Sequence, residues 1–182
     1  QTDQPINRIL GRAIERVKDD LNGKNLGPVD LRGANLEGAH LGFANLKASV
    51  LVNADLSKAD LHKTDISNAD LQGIVLSQTN LIGAKLDSAN FTNANFHKTN
   101  LYKANLNGTI LKGANLRTAV NVTCKQIQSA VIDENTRLPD YINMAESSSS
   151  NFQCTNLMKG KGLDLKGMNL AKMAIKIGRA HV

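Results

Sequence analysis

Four aspartates and three histidines are the residues here whose types could do chemistry. Asp55, Asp60, Asp65 and Asp70 follow one another at intervals of five, with His40, His62 and His97 around them. Carboxylates brought together would share a proton or a cation, and three imidazoles would hold a zinc ion. The two cysteines, Cys124 and Cys154, lie 30 residues apart with no CxxC pair, so free, buried or half-buried thiols are expected. Phosphate loops, nucleotide fingerprints and nucleophile motifs are missing from the sequence. Whether the carboxylates and imidazoles converge depends on the elements that carry them.

Those elements are set by one pattern. From Leu31 onward every fifth residue is large and apolar: Leu31, Leu36, Leu41, Leu46, Leu51, Leu56, Leu61, Ile66, Leu71, Leu76, Leu81, Leu86, Phe91, Phe96, Leu101, Leu106, Leu111 and Leu116. Two residues before each is a small one, mostly Ala, with Ser49, Thr64, Thr79, Thr99 and Thr109 filling other slots and Val29 and Ile74 as bulky exceptions. Between the two stands Asn or Asp in thirteen of the eighteen repeats.

A period of five suits no regular element. On an α-helix, successive leucines would fall about 140° apart and form no stripe. On a continuous strand, an odd step would send them to alternate faces. The pattern works if the backbone turns one corner per repeat. The small residue and the Leu then point inward, the Asn or Asp outward, and the last two positions form the corner. Right-angled corners close one coil in four repeats, or 20 residues.

The motif A-(N/D)-L-x-x, as in Ala54-Asp55-Leu56-Ser57-Lys58 and Ala59-Asp60-Leu61-His62-Lys63, resembles the pentapeptide-repeat family, particularly its bacterial and cyanobacterial members. That resemblance implies an all-β solenoid, a right-handed quadrilateral β-helix, with short α-helical caps expected at both ends. The expected organisation is a capping helix over 1–20, the solenoid over 21–121 and a capping helix and loop over 122–145. A Ser-rich linker follows over 146–151, then a partial second repeat segment over 152–176 and an artefactual tail at 177–182. Ile6, Ile9, Leu10, Ala13, Ile14 and Val17 have helical spacing, with Asp3 as N-cap, and are expected to cover the first coil. Thr123 to Gln126 has the spacing of a capping box.

On such a coil the four aspartates sit on four successive sides, where they cannot share a proton or a cation. The three histidines are likewise expected on different sides. No catalytic residue, cofactor or metal site is therefore expected, and the chain reads as no enzyme. The net charge of +6 does not signal nucleic acid. Residues 159–182 alone hold six basic groups and one acidic, whereas 21–120 hold ten and seven.

What remains is surface. Residues twenty apart stack in columns, which brings His62, Ile82 and Tyr102 beside Phe43, Lys63 and Lys103, with Lys58, His97, Lys98 and Arg117 adjoining. This basic edge with exposed apolar groups is the candidate interaction surface. The expected function is a non-enzymatic protein–protein interaction scaffold with a protein partner on its outer faces, the rod being a monomer or an end-to-end dimer. Nucleic acid is not expected as a partner, and no apolar run is long enough for a transmembrane segment. The cytoplasm is favoured over an exported location. Some members of the resembled family, quinolone-resistance proteins among them, mimic DNA and bind gyrase. That alternative needs an acidic face, and the column Asp30, Val50, Asp70, Asn90, Ile110 holds only two carboxylates.

Overall fold

A computed structural model describes residues 5–146 and 152–156. Helix α1 (Pro5–Arg16) and a 3-10 turn (Lys18–Asp20) lead into the array. Parallel bridges then link each outward residue to the one twenty further on, from Asn25↔Asn45 through Asn100↔Val120. One coil is therefore 20 residues with four short sides, and residues 25–120 form a β-solenoid.

Each corner is a turn in which the small residue's N–H donates back to the preceding large residue, as from Ala34 to Leu31. At most corners the second residue has positive φ, including eleven non-glycine residues such as Ala48 at 57°. The Asn or Asp at the outward position has a local task there. Its Oδ1 accepts the N–H two residues on, as Asp55 does from Ser57 and Asn80 from Ile82. Left-handed backbone costs a residue with a Cβ about 1–2 kcal/mol, against roughly 0.5–1 kcal/mol of chain entropy lost by glycine. Ala48→Gly is therefore expected to raise stability by a few tenths of a kcal/mol or more, opposite in sign to the usual effect, as read by urea denaturation.

The eighteen large residues are at most 2% exposed and form one continuous core, with Phe91 and Phe96 packed 5.2 Å apart. The buried hydroxyls of Thr64, Thr79, Thr99 and Thr109 donate to carbonyls of the preceding coil at 2.6–2.7 Å. This leaves those threonines no unmet polar group in the apolar interior.

At the first coil, Glu15 Oε1 accepts the Asn35 N–H and the Lys18 carbonyl accepts that of His40. Of the stripe from Ile9 onward, Ile14 packs into the core, while Ile9, Leu10, Ala13 and Val17 are exposed. The stripe is wider than the end of the coil, which corrects the expectation that all of it covers that end. Asp3 lies outside the described residues.

At the far end, helix α2 (Cys124–Ser129) opens with the Thr123–Gln126 capping box. The Gln126 side chain donates to the carbonyls of Leu101 and Ala104, Thr136 to that of Leu111, and Tyr141 to that of Ala119. Val131 and Arg137 bridge to Ile110 and Asn115, adding an irregular partial coil.

Two expectations fail beyond it. Glu146 is the last residue of strand β1 (Ile142–Glu146) and not the start of a linker. Phe152 begins strand β2 (Phe152–Asn156), which pairs antiparallel with β1, so 152–156 is no repeat segment. A third correction accompanies them: Cys124 and Cys154 are not free but form a disulfide, with Cα atoms 5.4 Å apart. It ties β2 to α2, while the backbone ladder with β1 sets an antiparallel register that no five-residue period predicts. The remainder of the linker, of the second repeat segment and the tail at 177–182 lie outside the described residues.

Candidate interaction surface

The sides of the solenoid can be named by the four aspartates of one coil. Bridges place Asp55, Asp60, Asp65 and Asp70 in four different columns, so each carboxylate meets its own turn and not its fellows. Asp65 shows the local electrostatics. Burial pushes its carboxyl up, but hydrogen bonds from the Ser67 hydroxyl and N–H, with the Lys85 and Lys47 cations, hold it below the usual carboxylate value.

The Asp60 side has as its floor the column His40, Asp60, Asn80, Asn100 and Val120. Two edges border it. One carries Phe43, His62, Lys63, Ile82, Tyr102 and Lys103, held in adjacent coils by the bonds Phe43 to His62, Lys63 to Ile82 and Gly83 to Tyr102. The other carries Lys58, His97, Lys98 and Arg117, with Gln78 bonded to His97. The ten candidate residues thus belong to two edges of one side, where the sequence suggested a single edge. The difference arises because corner residues belong to edges and each edge serves two sides. For the same reason the three histidines all border the Asp60 side, contrary to expectation, but on different coils. Among the described residues no group of three or more His, Cys, Asp or Glu is placed to hold a metal ion.

The N-terminal half of this surface is internally paired. Asp60 Oδ1 contacts His62 Nδ1 at 2.8 Å and accepts from Asn80 Nδ2 at 3.1 Å. The His62 ring meets Phe43 edge-on at 4.8 Å, and Lys63 Nζ stands 5.2 Å from the Phe43 ring centre. Lys58 bonds Glu37 at 2.8 Å, a contact that raises the lysine above its ordinary pKa. These pairings were invisible in columns of twenty, since His62 lies 19 residues from Phe43 and Lys58 lies 21 from Glu37.

The C-terminal half differs. Tyr102 is 49% exposed with Lys103 Nζ 5.3 Å from its ring centre, and Val120 beside it is 41% exposed. Lys98 and Arg117 on the opposite edge are exposed, with neutral Asn80 and Asn100 between. No carboxylate occupies this half of the floor or either of its edges.

Comparisons with known proteins bear on the array. The family model "Pentapeptide repeats" matches in eight copies, over residues 30–68, 39–78 and 79–117. No curated protein matches the sequence. One similar solved structure is HetL, a pentapeptide repeat protein involved in heterocyst differentiation regulation from the cyanobacterium Nostoc sp. strain PCC 7120. It is 32% identical over 60% of this chain, with a TM-score of 0.52. Rfr23 from the cyanobacterium Cyanothece 51142 is 35% identical over 53% of this chain, with a TM-score of 0.47. The matches span 53% and 64% of those two proteins' own lengths. A pentapeptide repeat protein from the Arabidopsis thaliana thylakoid lumen is 23% identical, covering 76% of this chain and 88% of its own, with a TM-score of 0.54. That last likeness is one of fold alone.

Proposed function

This chain is a member of the pentapeptide-repeat family through its array at residues 30–117, and on that premise we propose that it is a non-enzymatic scaffold whose Asp60 side binds another protein. The observation that carries this reading is the C-terminal half of that side. There three exposed cations, Lys98, Lys103 and Arg117, flank exposed Tyr102 with no carboxylate among them. Elsewhere on the array the carboxylates are engaged, Asp55 and Asp70 by their own turns and Glu37 by Lys58 of the next coil. Stacked coils hold surface groups in fixed positions relative to one another, which suits a binding face.

Photo-crosslinking tests the proposal. A photoreactive residue replaces Tyr102 on this side and, in a second protein, Asn93 on a remote edge. A defined crosslinked product from the Tyr102 position, missing from the Asn93 position, is expected in cells. Turnover of a metabolite by the purified protein, with no crosslink from any edge, would overturn the scaffold reading.

Gyrase binding by duplex mimicry is the weaker reading. The seven carboxylates of residues 21–120 are spread over all four sides, so they make no continuous acidic face. As to location, no helix of the described residues is long and apolar enough to cross a membrane. The disulfide moves the expectation from the cytoplasm toward an oxidising compartment, where such bonds persist.

A further inference from the structure

The edge at His62–Lys63 has a low point at Gly83 that its neighbours make specific. In the second corner column Phe43, Lys63, Gly83 and Lys103 follow one another, and the Lys63 stem leans over Gly83, its Cγ 3.3 Å from where a Cβ would stand. Lys63 and Lys103 therefore stand two coils apart, about 10 Å at the usual strand spacing. Each is set against an aromatic ring, Phe43 and Tyr102 respectively. Ile82 is half-buried on the same edge, in the coil between them. The result is a shallow apolar notch, formed by Ile82 and the Lys63 stem, with the Lys63 ammonium beyond one end over Phe43 and the Lys103 ammonium at the other over Tyr102.

We propose that this notch seats an acidic segment of the protein partner, with one apolar side chain on Ile82 and a carboxylate on each of Lys63 and Lys103. This inference rests on the scaffold reading and names the partner's chemistry. An extended segment presents a side chain on one face every second residue, about 7 Å apart. The order Glu-x-Leu-x-Glu thus centres the leucine on the notch and brings both carboxylates within range of the flexible lysine stems. Lys98 and Arg117 across the floor extend the positive field and add attraction at a distance. A nucleic-acid backbone would use the cations but gain nothing from Ile82. The lysine–aromatic stacks hold both ammoniums near their rings before binding, so less side-chain freedom is lost on contact.

The test uses the full chain and a fluorescein-labelled Gly-Glu-Ser-Leu-Ser-Glu-Gly peptide, read by anisotropy at low salt. Binding is expected to weaken at least tenfold with Lys103→Glu and with Ile82→Glu, and at least threefold when the peptide leucine becomes serine. Thermal melts confirm that both variants fold. If Ile82→Glu melts early, Lys103→Glu and the altered peptide still decide. Equal binding by wild type and Lys103→Glu overturns the inference, as does equal binding of a peptide with lysines in place of the glutamates. So does a single-stranded oligonucleotide or phosphatidylserine vesicle that depends on Lys103 while the peptide shows no binding. A crosslinked partner retained by both variants leaves the scaffold standing and overturns only the notch. Turnover of a metabolite without any crosslink removes the scaffold itself.

Discussion

Leu71→Ala is expected to lower the unfolding free energy by about 3 kcal/mol, within the range of roughly 2–5 kcal/mol for such truncations in cores. Leu71 is fully buried in the middle of the array, and its column runs Leu31, Leu51, Leu71, Phe91, Leu111. In a solenoid each coil touches only its neighbours, so a void in one coil weakens the stacking of the coils on both sides. Residues above and below cannot collapse into it, because their backbones are held by ladder bonds such as Leu51 N–H to Asp70 and Leu71 N–H to Asn90. Urea denaturation followed by circular dichroism measures the loss, with exposed Lys112→Ala as a control expected to stay within about 0.5 kcal/mol. A loss below 1 kcal/mol would mean that the coils relax independently and that the core is not continuous.

Removing the disulfide is the other large effect. Cys124–Cys154 closes a loop of about 30 residues, for which the chain-entropy relation gives roughly 3–4 kcal/mol. That stabilisation is local. Within the loop are Thr136 and Tyr141, whose hydroxyls satisfy carbonyls of the last coil, and Ile142, which is 2% exposed. Cys154→Ser, or reduction of the wild type, is expected to speed amide exchange around Tyr141 to Asn143 by about two orders of magnitude, a factor corresponding to roughly 2.7 kcal/mol. Exchange at Leu61 to Leu81 should stay unchanged, because those amides belong to coils the loop does not touch. An equal acceleration throughout would mean that the rod unfolds as one unit and that the disulfide stabilises all of it.

These two expectations differ in where they could be foreseen. The five-residue spacing determines the core by itself: a chain that places Leu at every fifth position and Ala two before it buries both only by turning one corner per repeat. The coil length, the inward positions and the separation of the four aspartates onto four sides all follow from that, since local backbone geometry repeats without help from distant residues. The same regularity makes the columns readable, which is why Ile82, Tyr102 and Lys103 could be grouped from their numbers alone.

Tertiary structure decided what is not periodic. Cys124 and Cys154 meet only because β2 folds back antiparallel on β1, a register set by long-range contact. The exposure of Ile9, Leu10 and Val17 depends on how α1 sits against the first coil, which a helical stripe does not specify. The arrangement of the surface likewise came from the corners. Counting by twenties puts Phe43 in line with Lys63, but the edge-on ring contact is with His62, whose carbonyl the Phe43 N–H reaches. Period and polarity fix which residues point in or out. Which outward residues touch depends on side chains reaching across coils, and that becomes determined only when the coils are stacked.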